Sequence, residues 1–529
     1  MAEGSSLSTN LPRHLPLAAL VVAALFLLPM ALGQREISLE EAVDIALDLE
    51  EVRDVFSDDV EITAEFHEEG GYWLVQLFRD DERLAFVTVS SDGDVLEVGI
   101  RESEGREEGE EPWFPFPWAS DSALFLFGGS IFLLAFWDFG RKLSLRNLGL
   151  LLMLSLAPGI LYFWRNLHLS VVLVYLPFVF LTLFLVLFLR KRADGVRPNF
   201  PTGVMKAFTL LFFLYGVGLT LTGGVDDSGW FGSIGGEMML KGELPYGRLE
   251  GGDTYGPLHY MLFAPLVGLF SESEWAEYNP AARILTIAFS LLLVFGLKKL
   301  GDSYGEGRGW SLSFAWVVLP YTLFMMRGSE VSHVFPAALS MWAFIYLSRP
   351  IASGGLLALA AETEFFPALY FPLWLSRHSG GDSLLPNRKG WVFLGSFVAV
   401  NLLILSPVLA SPGGLSTFLR STVLFQEGGG PGSFQSIWGI WGQYPDLRIV
   451  KLPIMAASLI LYLGLYFYPV KKTRHTLLGL TALVILVIHL WKTHLGVGGY
   501  VTWFLPFFLG AVLLGSSRRW GKSTKQGAG

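Results

Sequence analysis

The sequence predicts an all-α polytopic membrane protein with a small α+β domain near its N-terminus, on the extracytoplasmic side. Three observations predict it. Of 529 residues, 52% are hydrophobic and 16% charged, where soluble domains carry roughly 25% charge. Apolar runs suited to bilayer-crossing helices, which take about 20 residues, recur from residue 121 to residue 516. Basic and acidic residues fall in alternate connecting loops, the asymmetry that orients membrane proteins. The net charge of −9 is therefore a sum over two unlike faces and gives no reason to expect nucleic acid as a partner. The chain has no cysteine, which excludes disulfides, thiolate metal sites and cysteine nucleophiles.

Residues 1–33 read as a signal peptide or an N-terminal anchor. Leu17 to Gly33 is apolar and ends in Ala31-Leu32-Gly33, small residues that a signal peptidase accepts; only Arg13 and His14 give basic character ahead of it. Cleavage and retention both stay open, and both put the next segment outside the cytoplasm. Residues 34–112 are the one soluble stretch. Ile37, Ala42, Ile45, Ala46, Leu49, Val52 and Val55 share a helical face, and Ser38 and Glu41 have the spacing of a capping box. YWLVQLF, RLAFVTVS and DVLEVGI alternate as strands, split at Asp80-Asp81 and Asp92-Gly93. On ISLEEAVDIAL and the closing strand–Asp-Gly–strand, this segment resembles a PepSY-type domain; an unrelated small α+β module is the other reading. Glu102 to Glu111 reads as an acidic, solvated linker.

From Ser120 onward the chain reads as spans and loops, about 13 spans in all. Three accessory transmembrane helices occupy 120–190, a larger core occupies 205–516, and 517–529 is a basic tail. With the soluble domain outside, the cytoplasmic loops carry Arg190 to Arg192, Lys298 and Lys299, Arg377, Lys471, Lys472 and Arg474, and the tail Arg518 and Arg519. The C-terminus is then cytoplasmic. Two segments need separate treatment. Pro257 to Phe270 is short and interrupted by Pro265, so it reads as a helix at the outer interface or one that dips in and returns. Ile351 to Leu375 holds Glu362, Glu364 and Pro367 at its middle, so it reads as two short helices with the carboxylates at their bend.

The chemistry concentrates between Thr222 and Leu266. Asp226, Asp227, Glu237, Glu243, Glu250 and Asp253 fall there in what reads as one long loop, the mouth of an active site facing away from the cytoplasm. Asp226 and Asp227 directly follow a span. Adjacent carboxylates raise each other's pKa, which suits a general base acting on a hydroxyl. Holding a metal is a second use, and marking the water boundary is the bland one. Asp253 either caps the helix that follows or binds an acceptor or metal. His259 and His333, near helix starts, are packing residues or ligands. Trp230, Tyr255, Trp438 and Trp441 are aromatics for a ligand to stack on or members of the interfacial belt.

The order of these motifs carries a resemblance. Lys241-Gly-Glu-Leu-Pro-Tyr246, then Gly252-Asp-Thr-Tyr-Gly-Pro-Leu-His-Tyr260, follow an acid placed after the first core span. This resembles the C-type membrane glycosyltransferase superfamily (GT-C) and, within it, the family 87 mannosyltransferase-type enzymes. The stretches from Gly354 to Pro367, Phe418 to Gly439 and Gly499 to Pro506 are similar to family elements in the same order, though Glu364 stands where a lysine is often found.

The resemblance implies a GT-C-like helical bundle that transfers a hexose such as mannose, with inversion. The donor would be a polyprenyl-phosphate-linked sugar and the acceptor a glycan, lipid or protein at the extracytoplasmic face. Asp227, or else Asp226, would be the catalytic base; Asp227 is preferred because it opens Asp-Ser-Gly-Trp. Arg327 and Arg420 would meet the lipid phosphate, unless they only snorkel to headgroups. Lys492 reads as a snorkelling residue, with His494 in the same loop. Asp253, Tyr255, His259 and Glu364 would bind substrate. Membrane lipids surround the protein; no cofactor is required, with room left for a divalent cation. Two readings come from other classes. A transporter or flippase of a lipid-linked or anionic solute would use the broken helix at Glu362–Pro367, although no internal repeat is visible. A non-catalytic receptor would bind its partner through residues 34–112.

Overall fold

Alternation of apolar and polar residues builds the N-terminal unit of the chain, seen here in a computed structural model. The structure describes residues 38–49, 52, 60–67, 72–79, 82–90, 95–100, 121–162, 167–191, 198–249, 251–270, 278–380, 385–423, 439–444, 447–492 and 499–515. The signal or anchor, the acidic linker, the turns at Asp80-Asp81 and Asp92-Gly93, Arg192, Glu250, Trp438, His494 and the basic tail lie outside the described residues.

Those residues divide into two compact units: Met1–Arg101 together with Leu452–Leu461, and the remainder. In the first, helix α1 (Leu39–Asp48) precedes β1 (Glu61–His67), β2 (Tyr72–Arg79), β3 (Glu82–Ser90) and β4 (Val95–Ile100). The strands form an antiparallel meander in the order β1-β2-β3-β4. Ala42, Ala46 and Val52 pack on Val75 and Leu77 of β2 and on Val87 and Val89 of β3, the inward set of a period-two pattern. The sequence reading has three strands where the structure has four. In β1, the alternation of Ile62 and Ala64 is diluted by charged and polar neighbours, yet it pairs fully with β2, from Glu61–Phe78 to His67–Tyr72.

The larger unit is helical. Its helices are α2 (Asp121–Phe136), α3 (Leu145–Leu154), α4 (Ala157–Tyr162), α5 (Leu167–Lys191), α6 (Thr202–Thr222), α7 (Asp227–Leu240) and α8 (Pro257–Val267). There follow α9 (Pro280–Asp302), α10 (Arg308–Val318), α11 (Pro320–Arg327), α12 (Val331–Ile345) and α13 (Pro350–Ala361). After a 3-10 turn at Phe366–Tyr370 come α14 (Phe371–Ser379), α15 (Arg388–Ala410), α16 (Gly414–Thr422), a single turn at Ile440–Gln443, α17 (Arg448–Phe467, whose Leu452–Leu461 groups with the first unit), α18 (Arg474–His489) and α19 (Val501–Leu514).

Among the described residues, five helices are long and apolar enough to cross a membrane: α5, α6, α9, α15 and α17, or six crossings if the bent pair α10–α11 is one. The chain is an integral membrane protein by that measure. The outward residues of α6, including Leu210, Leu211, Leu214 and Leu221, are exposed, as expected of a lipid-facing surface. By contrast, α12, α18 and α19 are buried nearly all round and form the core of the unit.

This count is below the expected 13 spans, because apolar composition alone does not show where a helix stops. Seven further apolar helices run only 10–17 residues. The run at 310–326 is bent by 59° between α10 and α11, because Pro320 lacks an N–H and keeps Leu319 extended, at φ −69° and ψ 131°. The predicted break at Glu362–Pro367 coincides with the end of α13 and the 3-10 turn.

The largest correction concerns α7. The loop predicted after Asp226 is instead a helix, despite Gly229, Gly232, Gly235 and Gly236. Glycine disfavours helix by roughly 1 kcal/mol each, and packing overrides this. A Cβ at Gly232 would overlap the Phe263 ring, and one at Gly235 the Tyr260 ring. The glycine face is what lets α8 lie directly against α7. Glu237 pairs with Lys241 at 2.7 Å, one helical turn on, rather than sitting in a turn. Asn279, fully buried and left-handed (φ 42°), holds α7 to α9: its Oδ1 accepts from Ser233 Oγ at 2.8 Å and from Ala282 N–H at 3.1 Å, and its Nδ2 donates to the Gly229 carbonyl at 3.0 Å.

Candidate functional site

Asp226 is the hinge between α6 and α7. Its backbone N–H donates to the Gly328 carbonyl at 2.8 Å, which fixes this junction against the turn between α11 and α12. Its Oδ1 caps α7, accepting from Ser228 Oγ at 2.7 Å and Gly229 N–H at 3.2 Å. Asp227 accepts from Ser228 N–H at 2.6 Å and is otherwise open: it is exposed to solvent, whereas Asp226 is partly covered. Yet burial is the largest cause raising the Asp227 carboxyl above its usual range. A group that solvent reaches while protein surrounds it lies on the wall of a crevice.

Two other carboxyl-bearing turns lie at this junction. Glu330, just before α12, is buried; its Oε2 lies 3.6 Å from His333 Nε2 and makes no hydrogen bond among the described residues. Burial, then the charge of Asp227, pushes Glu330 up to about 8. Glu364, after α13, is pushed up to about 7 by burial, with Lys492 pulling it down and Asp227 pushing it up. Asp226 is raised well above the carboxylate range by burial first, then by Asp227 and Glu330. Glu362 caps the C-terminal end of α13, and its carbonyl accepts from Leu258 N–H at 3.0 Å. That bond seats the Glu362–Glu364 turn on the start of α8, and the approach is so close that a Cβ on Gly256 would overlap the Glu362 carbonyl.

The crevice also holds one ammonium and two phenols. Lys492, after α18, sits 4.9 Å above the rings of both Tyr500 and Trp503 and interacts with Glu364. Burial draws its ammonium down while Glu364 opposes that shift. Tyr255 and Tyr500 both feel Asp226, Asp227 and Glu364. Tyr500 packs against His333 at 4.5 Å between ring centres, and a Cβ on Gly499 would overlap Glu330 and His333. The loops after α6, α11, α13 and α18 and the one before α8 thus converge on one polar crevice.

His259 stands behind it. The ring is fully buried, its Nε2–H donates to the Ser228 carbonyl at 3.0 Å, and it stacks on Tyr255 at 4.4 Å and 15°. It positions Tyr255 and the first turn of α7 and does not open to solvent.

Of the residues expected from sequence, the structure brings Asp226, Asp227, Tyr255 and Glu364 together, with His259 beneath. Asp253 lies in an adjoining layer, where its Oδ2 accepts from Gly247 N–H at 2.8 Å and from Ser421 Oγ. It does not cap α8, whose N-cap is Gly256. Arg420 is exposed on α16, next to Ser421. Arg327 is exposed at the end of α11, beside Gly223 and within electrostatic reach of Tyr215. Trp230 is partly buried, and Trp441 is buried against Tyr175.

Sequence reasoning passed over Glu330 and Tyr500 and took Lys492 for a snorkelling residue. The signal for Glu330 was present: like Asp226, it is an acid between two apolar runs. Among the described residues no three His, Asp or Glu side chains converge closely enough to ligate a metal. Compared with known proteins, the chain matches no protein-family model and no curated protein.

Proposed function

We propose that the chain is a GT-C-like membrane glycosyltransferase, most similar in its motifs to the family 87 mannosyltransferase-type enzymes. It moves a hexose from a polyprenyl-phosphate donor to a hydroxyl of an extracytoplasmic glycan, lipid or protein. In this reading the shorter apolar helices complete the crossings, to about 13 spans. The observation that carries the reading is the crevice: one solvent-open carboxylate, Asp227, whose proton affinity burial raises, beside the acids Asp226, Glu330 and Glu364 that feel its charge, with an ammonium acting on Glu364.

The step is a single displacement. The acceptor oxygen forms a bond to the anomeric carbon as its proton passes to Asp227. The bond from the anomeric carbon to the phosphate oxygen breaks, and polyprenyl phosphate leaves with the electron pair. Lys492, rather than the exposed Arg327 or Arg420, is the cation whose charge acts on Glu364, and it offsets the charge on the leaving phosphate. Tyr255 and Tyr500 border the space for the sugar.

The test is transfer from a polyprenyl-phosphate hexose by purified chain in lipid. Asp227→Asn is expected to lower kcat by about 100-fold or more, and Lys492→Met to weaken use of the donor. Full transfer by Asp227→Asn and by the double variant with Asp226→Asn would overturn the assignment.

A further inference from the structure

The helices leading from the crevice end on a second polar feature of opposite sign. The segment after Glu364 continues through α14 to Arg377, and α18, which runs toward Lys492, begins just after Lys471-Lys472-Thr473. Along the 16 residues of α18 the separation is about 24 Å. There Ser376, Arg377, Gly380, Val470, Lys471, Lys472 and Thr473 line a cavity of about 250 Å³. Three of them are cations and none is an acid.

Lys472 is only 5% exposed. Its Nζ donates to Ser376 Oγ at 2.8 Å, to the Pro469 carbonyl at 2.8 Å and to the Tyr466 carbonyl at 3.2 Å. All three acceptors are neutral. Among the described residues no Asp or Glu forms an ion pair with Arg377, Lys471 or Lys472. A buried ammonium without a counter-ion is costly, and burial lowers it to about 8. Arg377 and Lys471 are exposed at the rim, so their charges are free to turn inward. Thr473 caps α18, whose N-terminal dipole adds to the positive field. Tyr468 and Val470, 73% and 45% exposed, put apolar side chains beside the cavity, which Val470 lines.

We propose that this cavity binds the phosphodiester of an anionic membrane lipid. Arg377 and Lys471 grip the phosphate oxygens, Lys472 supplies the fixed charge at the base, and the acyl chains run along the apolar surface beyond Val470 and Tyr468. A cation-lined cavity at the boundary of a span fits a headgroup that arrives already held at that depth.

The experiment uses the full chain in nanodiscs of phosphatidylcholine with and without phosphatidylglycerol, with retained lipid counted by native mass spectrometry. Wild type is expected to retain phosphatidylglycerol in preference to phosphatidylcholine. Arg377→Gln/Lys471→Gln, two exposed changes that leave packing intact, should lower that retention by roughly tenfold, as for loss of charge-assisted hydrogen bonds. Arg190→Gln/Lys191→Gln, an equal change of charge at the end of α5, should leave it unchanged. Equal loss in both pairs, or no loss in the first, would overturn the proposal. So would inorganic phosphate stabilising the detergent-solubilised protein more than phosphatidylglycerol does, which would assign the cavity to a soluble anion.

Discussion

At the residue scale, Asp226 commits its carboxylate to Ser228 and Gly229, while Asp227 meets only the Ser228 N–H and solvent. The two should therefore respond differently to substitution. Asp226→Ala removes a helix cap and should cost about 1 kcal/mol of stability, whereas Asp227→Asn should leave stability intact and remove activity; thermal unfolding beside a transfer assay checks both. Glu330 makes a separate prediction. Burial and Asp227 raise its pKa from 4.5 to about 8. A carboxyl raised on folding contributes stability that is fully present below the unfolded pKa and is lost as pH rises through the folded value. Thermal stability should thus fall between about pH 4.5 and 8, and Glu330→Gln should flatten that fall. An unchanged slope in the variant would show that Glu330 is not buried as described. The pair of acids after α6 was legible in the sequence, but the surroundings of Lys492 were not. A lysine after an apolar run reads as snorkelling until Glu364, Tyr500 and Trp503 are known to surround it.

At the scale of elements, the start of the site depends on α7, which local sequence argues against. Its glycines are poor helix formers, and their close neighbours explain them: Tyr260 and Phe263 on α8 at Gly232, Gly235 and Gly236, and Val225 and Ala282 at Gly229. Such a contact joins segments distant in the chain and leaves no periodic signature in α7 itself. Gly232→Ala and Gly235→Ala should each cost roughly 1–3 kcal/mol by overpacking, and both should lower transfer by tilting the first turn that carries Asp227. Asn279→Ala removes three buried hydrogen bonds and places alanine in a left-handed conformation; a loss of about 3 kcal/mol is expected in chemical denaturation. The break after α13 was legible, because two acids and a proline inside an apolar run can hardly form one regular helix. The bend at Leu319-Pro320 has the same cause, but there the proline lies in an otherwise unbroken apolar stretch, and hydropathy hides it. β1 was obscured differently, by glutamates and a histidine diluting a strand whose partner supplies most of the pattern.

At the scale of the molecule, the sequence identifies membrane-spanning helices around a buried core and a small α+β unit. Its 13 expected spans exceed the five or six crossings that length and composition support among the described residues, since a run of apolar residues marks burial as readily as contact with lipid. Packed helices such as α18 and α19 are apolar on every side and need no more than 16 residues. The functional account places the acidic crevice on the extracytoplasmic side, within reach of a lipid-linked donor. Gly224 offers a direct probe. It is exposed, a Cβ there meets nothing within 4 Å, and it lies two residues before Asp226. The chain has no native cysteine, so Gly224→Cys carries a single thiol. In intact cells a membrane-impermeant maleimide should label that thiol, and in outward-facing membranes added polyprenyl-phosphate hexose should protect it. Labelling only after the membrane is opened, or labelling indifferent to the donor, would contradict the account.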